Sequence, residues 1–565
     1  MSKIETLTLH FGEKSMKKPI IENMTLREKI AQSCLVRESD LLMHADTNYA
    51  SVRPKEDAAL LMEKYQFGGI WTHGNVDVNQ MGTDAYKSFN FTAESHLEWL
   101  KEVEAKAKIP LICANDPGGV VLGLTSITSG LMVGASDDEE LCFGLGRQLG
   151  LEHKSFGSNW IWAPMVDLVN RFAAGIVRPF SNEPDTLIRC ARAYIKGLQS
   201  AGVAATAKHF PGADPKETRD GHIVSTFIRS SYEAWKKDQG RVFKELIDAG
   251  VYAIMAATRA FPAIDDTEVM GTYLPATLSH KIVTKLLKEE MGFEGVVITD
   301  DVTMGGYTTF YSHEDLYAEF LKAGNDVLLG VGVDAVDLIE RAVLDGRLSE
   351  ERVNDACKRV LNLKEKLGLF EDGYVRGNNI KLDDVKPESK KVVSEIANRG
   401  ITLIKNKNPE LLPLKKEKIK NVTIILYTHN EAILKSLSVM KEEFEKRGAS
   451  VTLRRRLESW QELKEISEKN DLIVYVGYIH FHSPKGAPSF YGDEQWSFRY
   501  AFTAGKEKSI GISLGYPYIH YNFMDECPVF VNGYNATPDT QEAFVAAIYG
   551  EIPFTGKSPV DLNMN

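Results

Sequence analysis

GVVITDDVTM (295–304) begins as an apolar β run and stops on two aspartates. Val296, Val297, Ile298 and Thr299 are all β-branched, the composition of a strand covered on both faces, as in a parallel sheet. A helical pattern precedes it at 278–290. Another apolar run, DVLLGV (326–331), follows and leads into a helical pattern at 334–346. The same alternation extends backward through VYAIMAA (251–257), VAATAKH (203–209), NWIWAPMV (159–166), PLICAN (110–115), GGIWT (68–72) and AQSCLV (31–36). Helical patterns lie between them at 231–248, 186–199 and 92–107. Eight β runs separated by helices predict an α/β fold of the (β/α)8 TIM-type barrel class. A doubly wound open sheet shares this periodicity and is the alternative.

Helical character continues through VNDACKRVLNLKEKLGLF (353–370). The polar stretch EDGYVRGNNIKLDDVKPES (371–389) is rich in Gly and Asp and reads as a linker, with a helix expected at 390–399. A second alternation then starts: NVTIILY (421–427), SVTLRRR (450–456), DLIVYVGYI (471–479), SIGISLGY (509–516) and PVFVNGY (528–534). Helical patterns near 431–447, 460–469 and 538–550 interleave with it. The expected organisation is a (β/α)8 barrel domain over 1–375, a linker over 376–389 and a smaller α/β sandwich domain over 390–565.

A chain of 565 residues exceeds one ordinary domain. Its net charge of −11 argues against nucleic acid or an anionic membrane surface as the main partner. The basic cluster Arg454–Arg456 reads as a solvated strand end. Cys34, Cys113, Cys142, Cys190, Cys357 and Cys527 are scattered without a CxxC pair, so reduced core cysteines are expected rather than a metal or disulfide framework. The segment MSKIETLTLHFGEKSMKKPII (1–21) has no apolar signal core, and no run of about 18 apolar residues occurs. A cytoplasmic protein is expected, as a monomer or homodimer with no metal or organic cofactor.

Several runs end in polar residues: Asp116, Asp167, Lys208 with His209, and Asp300 with Asp301. At the C-terminal ends of barrel strands such residues converge on the rim where barrel active sites are built. A single polar strand end needs no such reading, because strands meet loops there. The densest segment is KHFPGADPKETRDGH (208–222). Its strand end anchors Lys208 and His209, while the loop is free to place Asp220 and His222 over a ligand. If the loop turns, Asp220 can orient the His222 ring and raise its basicity. Alone, an Asp and a His two apart on a loop are ordinary surface residues. Asp300 or Asp301 is placed either as a nucleophile or as an N-cap of the next helix, and one can cap while the other reacts.

Together these segments resemble glycoside hydrolase family 3, and within it the β-N-acetylglucosaminidase branch, over nearly the whole chain. MTLREKIAQ (24–32) resembles the opening helix and IVRPFSNEPD (176–185) the Arg-containing loop. KHFPG (208–212) followed by Asp220-x-His222 resembles the acid/base loop, and GVVITDDVTM the nucleophile strand. NRGITLIKN (398–406) with LLPL (411–414), and AIYGEIPFTGKSPVDL (547–562), resemble the start and end of the C-terminal sandwich. The resemblance implies a retaining β-glycosidase. Asp300 would attack the anomeric carbon, His222 would act as general acid and base, and Asp220 would orient His222. Asp116, Arg178, Lys208, His209 and Met304 would bind the sugar. Exo-hydrolysis of terminal N-acetylglucosaminyl residues from muropeptides or chitooligosaccharides, in peptidoglycan recycling, is the implied activity.

Three departures bear on substrate choice. The branch carries D-Q-E-G-G-R after the third strand, whereas Asp116-Pro117-Gly118-Gly119-Val120 keeps the sugar-binding Asp but neither the neighbouring acid nor the basic residue. Thr258, followed by Arg259, stands where a histidine is common after the sixth strand. The loop to Asp220 is one residue longer and carries Lys216, Glu217 and Arg219. The rivals are a phosphorylase using the same residues, a β-glucosidase or β-xylosidase, and a non-catalytic sugar-binding or regulatory protein. FHSPKGAPSFYGDEQW (481–496) reads as an active-site lid, a dimer contact or a plain surface loop.

Overall fold

The computed structural model describes residues 17–42, 55–72, 92–117, 124–125, 128–169, 171–173, 175–214, 216–219, 221–429, 431–479, 490, 492–522 and 524–562. Eight strands close into a barrel: β1 (Cys34–Arg37), β2 (Gly69–Trp71), β3 (Ile112–Asn115), β4 (Trp160–Ile161), β5 (Ala204–Phe210), β6 (Ala253–Ala256), β7 (Val296–Asp301) and β8 (Val327–Val331). Each is parallel to its neighbours, and β8 pairs back to β1. The closed ring rules out the open sheet, and each expected apolar run overlaps one strand.

The inward rows explain why these runs form a barrel. Leu35, Ile112, Ala114, Trp160, Trp162, Ala204, Ala253, Met255, Val296, Ile298, Val327 and Leu329 make one buried cluster. Bulky tryptophans share this space with alanines, so large and small side chains complement one another. Trp160 Nε1 donates to Thr206 Oγ1 at 2.6 Å, which satisfies the indole inside the core. Val360 and Leu363, from a helix at Glu350–Lys366, plug the N-terminal end with Leu367 and Leu369. Strand side chains alternate with a period of two. The rows Ile112–Ala114, Ala204–Thr206 and Val296–Ile298 therefore continue, at the open end, to Asp116, Lys208 and Asp300.

The second domain holds a six-stranded sheet of β9 (Thr402–Asn406), β10 (Asn421–Tyr427), β11 (Ser450–Arg455), β12 (Leu472–Gly477), β13 (Ser509–Ser513) and β14 (Val529–Asn532). Their order is β9-β14-β13-β12-β10-β11, and only β9 is antiparallel to its neighbour. The helix expected at 390–399 spans Leu382–Gly400, so residues 382–389 of the expected linker are helical. Asp383 and Asp384 complement the partial positive charge of its first turn, and Pro387 sits inside it. The basic cluster closes the end of β11, partly exposed and ion-paired: Arg455 pairs with Glu494 at 2.6 Å, Arg456 with Asp493 at 2.9 Å, and Arg454 with Glu462.

The second domain grips the loop that follows β4. Pro559 O accepts from Ser181 Oγ at 2.6 Å and from Asn182 N at 3.2 Å. The Arg171 guanidinium lies 4.6 Å from the centre of the Tyr518 ring. From the barrel side, a Cβ at Gly130 or Gly134 would come within 2.0 Å of Arg178 O or 1.7 Å of Phe180 O. Glycine is required there because the helix Gly130–Ser136 meets that loop backbone to backbone. The six cysteines are buried and unpaired. No helix among the described residues is long and apolar enough to cross a membrane.

Candidate active site

β7 gives its two aspartates different surroundings. Asp300 ends the inward row, with its side chain 14% exposed. Its Oδ1 accepts the Asp301 N–H at 2.9 Å, and its Oδ2 stands 3.8 Å from His209 Nε2. Asp301 binds Arg37 and accepts from the N–H and hydroxyl of Thr303 at 2.9 and 2.8 Å. Those bonds close an Asx-type turn. Neither aspartate caps the short helix Gly305–Thr308, whose N-cap residue is Met304. Asp301 thus shapes the turn and leaves Asp300 facing the mouth. Tyr307, fully buried beside it, has its phenol pushed far above the usual range by burial and by the charge of Asp300.

β5 ends with a register shift between Lys208 and Phe210, and such irregularities re-aim side chains. Two consecutive residues therefore reach the site. Lys208 Nζ donates to Asp116 Oδ1 at 2.5 Å. Burial alone would push the Asp116 carboxyl up, but Lys208, aided by Arg178 and His209, holds it below the usual carboxylate range. His209 donates its backbone N–H to Asp167 Oδ1 at 3.0 Å, and its Nδ1 lies 3.0 Å from Asp167 Oδ2. A carboxylate only accepts, so Nδ1 carries the proton. Asp167 is fully buried and also accepts from Arg259 Nη1 at 2.9 Å. Burial opposes its ionisation, yet Arg259 and His209 hold it far below the usual range.

Asp116, Lys208, His209 and Asp300 are thus brought together, with Arg178 near enough for its charge to act on Asp116 and His209. His222 is exposed, on a loop laid over the turn after β7: His222 O accepts from Gly305 N at 3.0 Å. Met304 lies in that turn, half-buried against the cluster that contains Tyr307. Asp220 lies outside the described residues, as do Gly118–Val120 and most of 481–496. Thr258 is buried beneath the His222 loop, and a Cβ on Gly221 would meet its Oγ1 at 2.5 Å. A histidine here would displace that loop. Glu217 binds the loop to itself, accepting from Thr218 N at 3.1 Å, from Arg219 Nη2 at 2.6 Å and from Arg229 Nη2 at 3.2 Å. Against the cost of burial, Arg219 leads the contacts that hold its carboxyl down to about 2.

Sequence reasoning noted Asp167 only as a strand end and Arg259 only as a departure. It missed Gln239, whose Oε1 accepts from Leu168 N at 2.8 Å and whose Nε2 donates to Val166 O at 2.8 Å. A lone polar residue on an amphipathic helix gives no signal of such a role.

A family model described as "Glycosyl hydrolase family 3 N terminal domain" matches residues 25–363. The chain is 26% identical over 501 residues to the "Beta-N-acetylglucosaminidase/beta-glucosidase" of Cellulomonas fimi, covering 83% of this chain and 87% of that one. Among solved structures, beta-glucoside phosphorylase BglX superposes with a TM-score of 0.82 at 24% identity, over 96% of this chain and 95% of that one. A family 3 beta-N-acetylglucosaminidase from Paenibacillus sp. str. FPU-7 gives a TM-score of 0.77 at 24% identity, over 96% and 100%. At such identities the two structures show a shared two-domain fold.

Proposed function

The chain belongs to glycosyl hydrolase family 3 as a β-glycosidase, and from that premise we propose that it is a retaining exo-β-N-acetylglucosaminidase. The observation that carries the reading is Asp300, held by the Asp301 N–H with its other oxygen facing the mouth, beneath a loop that bears His222. In the first step Asp300 Oδ2 bonds to the anomeric carbon as the glycosidic C–O bond breaks, and His222 gives its proton to the leaving oxygen. In the second step neutral His222 takes a proton from water, whose oxygen displaces Asp300. Two inversions leave the β configuration unchanged. Asp220 orients His222, and Asp116, Lys208, His209, Arg178 and Met304 surround the sugar. The Asp-x-His loop and the name of the Cellulomonas fimi relative support N-acetylglucosamine as the sugar. Muropeptides or chitooligosaccharides, met in cytoplasmic peptidoglycan recycling, are the proposed sources.

A second reading is phosphorolysis. An imidazole acid/base carries no negative charge when it receives the acceptor, so phosphate meets less repulsion than a second carboxylate would offer. Turnover of a panel of 4-nitrophenyl β-glycosides with and without phosphate tests both readings. The hydrolase reading expects the N-acetylglucosaminide to be turned over fastest and free N-acetylglucosamine to be the product in either buffer. Sugar 1-phosphate formed only with phosphate establishes the second reading. Faster turnover of the glucoside or xyloside rejects the proposed sugar.

A further inference from the structure

We propose that Arg259 is a positioning residue for this reaction: through Asp167 it keeps the His209 ring neutral, with Nε2 free to accept a hydrogen bond from the sugar. The proposal rests on the reading that Asp300 and His209 line the glycosidase site.

Three strand ends meet in this arrangement. Arg259, just after β6, donates from one nitrogen to Asp167 Oδ2 at 2.9 Å and to Gly212 O at 3.0 Å. It thereby ties the loops that follow β4 and β5. Asp167 then spends both oxygens on His209. With Nδ1–H donated to Asp167, a neutral ring has its lone pair on Nε2. At 3.8 Å, Nε2 and Asp300 Oδ2 are too far apart for a direct hydrogen bond, and both face the mouth as acceptors. A sugar hydroxyl at the mouth can donate its one proton to Nε2.

A buried carboxylate on one imidazole nitrogen ordinarily draws a second proton onto the other. Here that pull is balanced. The groups that face His209 are Asp167 behind it, backed by Arg259; Asp300 in front; and Arg178 with the Lys208–Asp116 pair to the side. Burial is the largest influence and pushes the ring toward the neutral form; Asp167 and Asp300 oppose it, and Arg178 helps it. Without the Arg259 charge, Asp167 would act on the ring uncompensated. A protonated ring would turn Nε2–H toward Asp300, blunt the nucleophile and fill the hydroxyl site.

The test uses the full chain with Arg259→Gln, which keeps a hydrogen-bond donor but no charge, and Arg259→Lys, which keeps the charge. On the best 4-nitrophenyl substrate, Arg259→Gln is expected to lose about tenfold in kcat/KM at pH 5.5 and less than about twofold at pH 7.5, the contrast that follows when a single inhibitory protonation moves upward into this range. Arg259→Lys is expected to follow wild type at both. In parallel, NMR of isotope-labelled histidine, with the His209 signal identified by its loss in His209→Gln, reads the ring directly. Wild type is expected to keep the Nδ1–H neutral form across this range, while Arg259→Gln gains a second proton at the acid end. Equal losses at both pH values with an unchanged ring would make Arg259 a merely structural clamp and overturn the proposal, as would no change at all. Absence of turnover in wild type would count against the glycosidase reading, and the NMR comparison would still decide the role of Arg259.

Discussion

Asp300→Asn is expected to lose about 10⁴- to 10⁶-fold in kcat/KM on every β-glycoside that wild type turns over, the scale seen when a covalent nucleophile is removed. The substitution keeps the side-chain volume and an oxygen that accepts the Asp301 N–H, so the turn after β7 should survive. Its melting temperature is therefore expected to match wild type. The loss arises because an amide oxygen cannot form a stable ester with the anomeric carbon, while the sugar contacts proposed for Lys208, Asp116 and His209 are untouched. Residual activity above about one part in a hundred, in a protein free of wild-type contamination, would remove Asp300 from the mechanism; a two-decade loss is the size that removal of a hydrogen-bonding group alone can give.

His222→Ala is expected to divide substrates by leaving group. General-acid assistance is worth about 10²- to 10⁴-fold when the departing oxygen is basic. Sugar and alkyl leaving groups should lose that much in kcat/KM, whereas a 2,4-dinitrophenyl leaving group departs as a stable anion and should lose less than about tenfold. His222 is exposed, and its backbone carbonyl makes the bond to the turn after β7, so the side chain can be removed without disturbing the barrel. Equal losses on the two classes of substrate would assign His222 a binding role and leave the general acid elsewhere.

The barrel was legible because period-two burial and β-branched composition act locally. Val296 to Thr299 read as a covered strand, and the same register places Asp300 inward once the strand exists. Lys208 and Asp116 follow from the same count on β5 and β3. What did not show was the division between Asp300 and Asp301. It depends on Arg37, which lies 264 residues away in sequence. His209 should point away from Lys208 in a regular strand, and only the irregularity after Lys208 turns both toward the mouth. The helix from Leu382 was hidden by Pro387 and by polar residues that suit both a linker and an exposed helix face. Arg259 showed only as the neighbour of Thr258, the lost histidine position, because its partner, Asp167, comes from a different strand end and neither motif names the other.

The most direct measurement of the central claim is the site of covalent attachment. A 5-fluoro-N-acetylglucosaminyl fluoride reacts quickly, because fluoride leaves readily, and then releases slowly, because the ring fluorine opposes positive charge at the reacting centre. Mass spectrometry of the digested protein should find one added sugar, on the peptide that contains Gly295–Met304 and specifically on Asp300. It should be absent from Asp300→Asn treated in the same way. An adduct on any other residue, or steady turnover of the reagent to a product of inverted configuration with no adduct formed, would contradict a retaining mechanism through Asp300.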